Sequence, residues 1–339
     1  MTRHTNPTRV QWRVAVLAGV ALIATSLTGC TAAVAPGGAA TLPSAVIGLT
    51  YIPNIQFAPF YVADHNGFDT TTASISLRHH GASEGLFTAL AAGDEQFVVA
   101  GGDEILQARA QGIDIVAVAS YYSQYPARII VPQGSPIRSV SDLRGHSIGI
   151  PGKFGESWFA LLVALKQAGL TESDVTITEI GYTQQAALTT GKVDAEVGFS
   201  NSDVISFQQA GFPVTVIDPG LPLVSICLGV AGSYATAHPD VVRTVIAGMK
   251  QGMDTALNDQ ATTLSIAAAY IPSFYGDTLA TAKQVLPATT ALFVDANGQL
   301  SPPFDPAQWD QMAQIMAAVG LIPQGTDAGA AFTNEFNGT

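Results

Sequence analysis

The chain has 339 residues, a formal net charge of −12 at pH 7, 47% hydrophobic residues and only 12% charged residues. This length allows two domains of ordinary size, and the apolar content argues against an intrinsically disordered chain. The negative charge argues against nucleic acid or an anionic membrane face as a partner.

The first thirty residues have the pattern of a bacterial lipoprotein signal. Three arginines precede an apolar run at 14–27, which is too short for a comfortable transmembrane helix. The run ends in Leu-Thr-Gly-Cys, and Cys30 is the predicted lipidation site. We therefore predict a signal peptide at 1–29 and a flexible tether at 30–44, rich in Ala, Gly, Thr and Pro. Loss of the three arginines would take the net charge from −12 to −15.

From Val46 to Val131 the predicted elements alternate between strand and helix. Strands are short apolar or alternating runs, and glycines follow the ends of the helices. The predicted strands are 46–49, 75–79, 96–100, 115–121 and 128–131, and the predicted helices are one entered at Ala58, one at 83–92 and one ending at Ala110.

Two proline-containing breaks, PQGSP at 132–136 and DPGLP at 218–222, divide the rest of the chain. Between the breaks we predict strands at 147–150, 175–179, 195–199 and 214–217 and helices at 158–168, 184–190 and 203–210. After them we predict a crossing strand at 223–230 and helices at 240–257, 262–270, 278–285 and 306–319.

This order predicts an α/β protein with two lobes. The first lobe is discontinuous, comprising 45–132 and 223–339, and the second comprises 133–222. The two crossings between them would act as a hinge around a ligand cleft. The sequence has no cluster of metal-ligating residues and no phosphate-binding loop, so we expect no metal and no cofactor. Cys227 is predicted to be a buried inert thiol.

The turn after the first strand carries an unusual load of aromatic and amide groups, at the strand end where open α/β sheets bind ligands. Tyrosines also follow the fourth strand, where they offer stacking faces. Asp103 follows the third strand and either contacts ligand or caps the next helix. The alternative for the aromatic residues is burial in the core. The ligand-binding candidates in the first lobe are Tyr51, Asn54, Phe57, Asp103, Tyr121, Tyr122 and Tyr125.

In the second lobe, candidates lie where a strand meets a helix N-terminus. Glu156 there would oppose an anionic ligand and favour a ligand with amino or N–H groups. Its alternative role is to stabilise the helix dipole. Asn201 either contacts ligand or caps the next helix. The ligand-binding candidates in the second lobe are Phe154, Glu156, Ser157, Trp158, Tyr182 and Asn201.

Four motifs carry a resemblance to a known family. They are TYIPNIQFAPFYVAD with Gly67-Phe68, LAAGDEQFVVAGGDEILQARAQG, SVSDLRGHSIGIPG and TTGKVDAEVGF. The chain resembles the substrate-binding lipoproteins of ABC importers that include thiamine-pyrimidine, riboflavin, nitrate and sulfonate or taurine binders. The first motif is most similar to binders of thiamine-pyrimidine precursors and riboflavin.

The resemblance implies a type II periplasmic-binding-protein fold whose lobes close on a small heteroaromatic vitamin or precursor. It implies delivery to a membrane ABC permease by a monomer, lipid-anchored on the extracytoplasmic face of the cell membrane, with no catalytic residues. Three alternatives remain. One is an enzyme of the same fold that makes the thiamine pyrimidine, although the cysteine-rich cluster of those enzymes is absent. The second is a binder of anions such as nitrate, sulfonate or taurine, and the third is a surface sensor or adhesin that kept the fold.

Overall fold

The computed structural model describes residues 42–81 and 84–337. The predicted signal peptide, the lipidation site at Cys30 and nearly all of the tether lie outside the described residues. The strands are β1 Ser44–Leu49, β2 Ser74–His79, β3 Phe97–Gly101, β4 Ile115–Ser120, β5 Ala127–Pro132, β6 Ser147–Ile150, β7 Thr176–Glu179, β8 Ala195–Phe199, β9 Val214–Ile217 and β10 Ile226–Ala231. The helices are α1 Ala58–His65, α2 Thr88–Ala92, α3 Gly102–Ala110, α4 Gly155–Gln167, α5 Gln184–Thr189, α6 Asp203–Gln209, α7 Gly232–Ala237, α8 Pro239–Asn258, α9 Gln260–Ala267, α10 Gly276–Thr290 and α11 Pro306–Ala318.

The strands form two five-stranded sheets with the same design. The first sheet has the order β2-β1-β3-β10-β4, and the second has the order β7-β6-β8-β5-β9. In the first sheet β1 is parallel to β2 and β3, while β10 is antiparallel to its neighbours. In the second sheet β6 is parallel to β7 and β8, while β5 is antiparallel to its neighbours. Each sheet therefore contains one antiparallel strand, which is the fourth of the five in its order.

One predicted assignment differs from the structure. The predicted division put residues up to 132 in the first lobe, but β5 at Ala127–Pro132 pairs with β8 and β9 in the second sheet. The chain therefore crosses before β5 rather than at the PQGSP break. An apolar run such as β5 fits the centre of either sheet, so its composition could not reveal its partners. The other lobe limits remain a prediction.

Some helix ends also differ from the sequence pattern. Helix α4 begins at Gly155, three residues before the predicted start, which places Glu156 and Ser157 in its first turn. Helix α2 begins at Thr88, whereas the predicted start at Ser83 lies outside the described residues. Helix α8 follows its predicted apolar periodicity and buries Val241, Val245 and Met249.

The apolar core joins the two sheets. Val98 of the first sheet and Ile148 of the second belong to one buried cluster, which also contains Leu106 of α3, Leu161 of α4 and Trp309 of α11. A second cluster lies between the first sheet, α1 and α8. The sheets are therefore linked by side-chain packing as well as by the chain crossings. Among residues 42–81 and 84–337, no helix is both long enough and apolar enough to cross a membrane.

Candidate functional site

A cleft of about 700 Å³ lies between the two sheets. The segments that line it follow β1, β2, β3 and β4 of the first sheet and β6, β7 and β8 of the second. Its volume is within the usual range for small-molecule sites, about 300 to 1,000 Å³. The predicted site residues that line it are Tyr51, Asn54, Phe57, Tyr121, Tyr122, Phe154, Glu156, Ser157 and Tyr182.

The turn after β1 presents an ordered edge to the cleft. Asn54 Oδ1 accepts a hydrogen bond from the backbone N–H of Gln56, and the Asn54 backbone N–H donates to the Tyr61 hydroxyl. The Asn54 side chain therefore caps the short 3₁₀ turn at Ile55–Phe57 and also lines the cleft.

Aromatic side chains meet across the cleft. The ring of Tyr51, from the first sheet's side, lies 6.0 Å from the ring of Tyr182, from the second sheet's side, with an interplanar angle of 53°. Tyr182 is 56% exposed and Phe154 is 58% exposed, which is unusual for large apolar side chains. Their free faces can stack on a flat ring.

The two tyrosines after β4, Tyr121 and Tyr122, are buried, whereas Tyr182 is exposed. Tyr121 and Tyr122 stack on each other with ring centres 4.9 Å apart, and both contact Phe293. The Tyr121 hydroxyl donates to the Gln56 backbone oxygen at 2.5 Å. Burial raises the pKa of both hydroxyls, so both stay neutral. This pair forms an apolar end of the cleft that offers ring surface and no charge.

Four predicted ligand contacts are not placed in the cleft wall. Trp158 belongs to the buried core, with Lys153 Nζ 5.0 Å from its ring centre. The residues of α4 that line the cleft are Gly155, Glu156, Ser157 and Phe159, whereas the Trp158 ring packs into the core. Asn201 is buried, and its Nδ2 donates to Thr289 Oγ1 at 3.0 Å.

The other two, Asp103 and Tyr125, are buried beside the cleft wall and are hydrogen-bonded to each other. The Tyr125 hydroxyl donates to Asp103 Oδ2 at 2.6 Å and approaches the Glu156 backbone oxygen at 3.2 Å. Asp103 Oδ1 also accepts from the Glu104 backbone N–H. These bonds tie the N-terminus of α3 to the first turn of α4 and fix the positions of Glu104 and Glu156.

Three carboxyl groups, on Asp103, Glu104 and Glu156, gather where α3 meets α4. Burial raises all three pKa values, and repulsion from neighbouring carboxylates raises those of Glu104 and Glu156 further. Glu104 Oε2 accepts from the Gly101 backbone N–H, whereas Glu156 Oε1 is buried without a partner among the described residues. Glu104 and Glu156 both line the cleft.

Three cleft-lining residues of α3 and its C-terminal cap were not among the site residues predicted from the sequence. Glu104, Gln107 and Gln111 line the cleft at helical spacing of three and four residues. That spacing places polar side chains on one face of a helix, a signal that was present in the sequence. Phe87 also lines the cleft, but no local pattern distinguishes it from a core residue.

The cleft wall is short of positive charge. Among the described residues that line it, none is lysine, arginine, histidine or cysteine, whereas Glu84, Glu104, Glu156 and Asp203 are acids. An anionic ligand would meet carboxyl groups without a countercharge from the lining. A neutral or cationic ligand with N–H donors fits these groups better.

Comparisons with known proteins find a matching family and similar named proteins. The family described as NMT1/THI5 like matches residues 54–263. The riboflavin-binding protein RibY of Chloroflexus aurantiacus is 33% identical over 315 residues, covering 90% of this chain and 89% of RibY. A Haemophilus influenzae protein provisionally named a thiamine biosynthesis protein is 26% identical, covering 84% of this chain and 91% of that protein.

Among solved structures, the alkanesulfonate-binding protein SsuA of Xanthomonas axonopodis pv. citri, bound to MOPS, superposes with a TM-score of 0.67. It is 22% identical, and the match covers 87% of this chain and 99% of that chain. At this identity the likeness concerns the fold. It confirms the predicted periplasmic-binding-protein fold with two α/β halves.

Proposed function

Since this chain belongs to the NMT1/THI5-like family and is a solute-binding protein, we propose that its cleft binds riboflavin or a closely similar flat heteroaromatic molecule. The observation that carries the proposal is the chemistry of the cleft: exposed aromatic faces on both sides, carboxyl groups, and no cationic side chain among the described lining residues. The isoalloxazine ring of riboflavin is flat and uncharged, and it carries an N–H donor between two carbonyl acceptors.

The proposed role extends to transport. The chain shares its fold with solute-binding proteins. We infer that its two halves close on the ligand and that it delivers the ligand to an ABC permease without chemical change. The predicted lipoprotein signal at 1–30 supports attachment to the extracytoplasmic face of the cell membrane.

A binding role is also supported by the histidines beside the cleft. His79 makes hydrogen bonds with the Tyr61 hydroxyl and the Tyr51 backbone oxygen, and His80 contacts the buried Glu95 carboxyl. Both rings are therefore engaged in packing, and neither lines the cleft. An enzyme that builds a pyrimidine would need a reactive lysine or histidine in the cleft, so this arrangement favours a binding role.

An aminopyrimidine precursor of thiamine is the second candidate ligand. The carboxyl groups at the α3–α4 junction can accept hydrogen bonds from its amino group. The likeness to the Haemophilus influenzae protein supports it as well. Nitrate and alkanesulfonates are less suitable, because the lining residues supply acids and no countercharge.

Titration separates these ligands. The purified full chain is mixed with riboflavin, an aminopyrimidine precursor and an alkanesulfonate, and thermal unfolding is followed for each. We expect riboflavin to raise the melting temperature, since a ligand that binds only the folded state stabilises it, and to lose fluorescence at a ratio of one per chain. A rise in melting temperature with the aminopyrimidine alone would favour the second candidate ligand over riboflavin. No shift with either heteroaromatic ligand would contradict the proposal.

Tyr51→Ala is expected to weaken riboflavin binding roughly tenfold, because an aromatic stacking contact contributes about 0.5 to 1.5 kcal/mol beyond its buried area. Stability should change by less than about 1 kcal/mol, since the ring is only half-buried. Affinity is measured by flavin fluorescence and stability by urea unfolding. Tyr275→Ala, at an exposed tyrosine outside the cleft lining, is the control. A large stability loss with unchanged affinity would instead assign Tyr51 to the core.

A further inference from the structure

We propose that the carboxyl group of Glu156 determines specificity in the cleft by forming two parallel hydrogen bonds with a ligand edge that has an N–H beside a carbonyl. The imide edge of isoalloxazine is such an edge. The inference rests on the proposed function and names the chemistry that would select the ligand.

The geometry of Glu156 points to a missing partner. Its side chain lies in the first turn of α4 and is only 9% exposed, yet it lines the cleft. Its Oε1 is buried and has no hydrogen-bond partner among the described residues. An unpaired buried polar atom is unfavourable, so a ligand toward which the carboxyl group turns and with which Oε1 pairs removes that penalty on binding.

The groups around Glu156 are acidic or neutral. Asp103 and Glu104 of α3 lie close enough to repel its charge. The Tyr122 and Tyr125 hydroxyls and the Cys227 thiol of β10 also lie close enough to interact with its charge. None of the ion pairs among residues 42–81 and 84–337 includes Asp103, Glu104 or Glu156.

These surroundings fix the protonation state. Burial raises the pKa of Glu156 well above its usual range, and the charges of Glu104 and Asp103 raise it further. The folded protein therefore holds this carboxyl in its neutral form near neutral pH. A neutral carboxyl group has one O–H donor beside one carbonyl acceptor, whereas a carboxylate can only accept.

The neutral carboxyl complements an imide edge. Its O–H donates to a ring carbonyl of the ligand while its own carbonyl oxygen accepts from the ring N–H. Once the carboxyl loses its proton, the first hydrogen bond is lost and the resulting carboxylate faces the ring carbonyl. The affinity for such a ligand should therefore fall as pH rises through the pKa of the acidic cluster, whose members titrate together.

The test compares Glu156→Gln with the unmodified chain. The glutamine amide has nearly the same shape and keeps one donor and one acceptor at every pH. Riboflavin affinity is measured by fluorescence from about pH 5.5 to about pH 8.5. Burial raises the pKa of Asp103 to about 7 and that of Glu104 to about 8, so the cluster begins to ionise within this range. We expect the unmodified chain to lose affinity toward the alkaline end of the range, and Glu156→Gln to remain within about threefold of its low-pH affinity. Glu179→Gln, at an exposed carboxyl on β7, is the matched control and should behave like the unmodified chain.

A second ligand makes the test independent of pH. Riboflavin methylated at the imide nitrogen lacks the N–H, and we expect it to bind at least tenfold more weakly than riboflavin, the equivalent of about 1.4 kcal/mol. Binding of riboflavin with the same pH profile in both chains, or equal binding of the methylated compound, would overturn the role of Glu156 and leave the proposed function intact. Failure of riboflavin to bind the unmodified chain at any pH would overturn both.

Discussion

Replacing Glu196 with methionine is expected to raise the free energy of unfolding by roughly 3 kcal/mol at pH 7. Glu196 lies on β8, is fully buried, and has no hydrogen-bond partner for either carboxyl oxygen among the described residues. Burial, and then the nearby charge of Asp203, raise the pKa of Glu196 to about 9. Methionine has a similar length and no polar group that needs a partner.

The direction of the change in the free energy of unfolding follows from the difference in proton binding between the folded and unfolded states. In the unfolded chain a glutamate has a pKa of about 4.3, so between that pH and about 9 the folded state holds a proton that the unfolded state has released. The contribution of Glu196 to the stability of the unmodified chain is therefore most favourable below the unfolded pKa and declines as pH rises through this window. The methionine variant lacks this term, so its advantage should grow with pH.

Urea unfolding at several pH values measures the difference directly. We expect the difference between the two chains to be smallest near pH 4 and to grow by up to about 1.4 kcal/mol for each pH unit above that. Glu179→Met on β7 removes an exposed carboxyl from the same sheet and serves as the control. A constant difference between Glu196→Met and the unmodified chain at all pH values would show that Glu196 does not take up a proton on folding.

Gly252→Ala is expected to lower the free energy of unfolding by about 3 kcal/mol, although alanine favours a helix more than glycine does. Gly252 is buried in α8, where the helix packs against α1. A Cβ atom at this position would lie 2.0 Å from the Pro59 backbone oxygen. A backbone carbonyl cannot turn aside like a flexible side chain, so α1 and α8 would have to separate.

Two matched variants isolate this steric effect. Gln251→Ala changes the neighbouring exposed residue and should have little effect. Gly248→Ala meets ring atoms of Phe68 at 2.6 Å, and because a side chain can shift, we expect a smaller loss than at Gly252. Thermal and urea unfolding of the three variants give the ranking. Since α1 follows the cleft-lining turn that contains Asn54 and Phe57, Gly252→Ala should also weaken ligand binding. Equal stability of Gly252→Ala and Gln251→Ala would contradict the close contact.

The sequence identified the side chains that approach the cleft wherever a strand end was followed by a distinctive loop. Tyr51, Asn54 and Phe57 follow β1, and Phe154 and Glu156 follow β6; all of them line the cleft. This inference succeeded because the carboxyl ends of parallel strands meet at one edge of a sheet, a rule that needs only element order. Whether these residues contact the ligand stays a prediction.

Which side chains face the cleft was predicted less accurately for Trp158, Asp103 and Tyr125. Trp158 lies in the core because the rotation of α4 is set by its packing, and Asp103 and Tyr125 bond to each other rather than facing the cleft. Both facts depend on contacts between residues distant in the chain. Local patterns of apolar and polar residues do not contain that information.

By itself the sequence determined the alternation of strands and helices, the two-lobed plan and the aromatic turn after β1, since these follow from local periodicity and turn chemistry. Only the tertiary structure decided that β5 joins the second sheet and that Tyr51 meets Tyr182. It also decided that Glu156, near Glu104, has a carboxyl oxygen without a hydrogen-bond partner in the part of the chain that the structure describes. The physical reason is that strand partners, helix rotation and the burial of a charge are set by long-range packing, which selects among arrangements that satisfy the local pattern equally well.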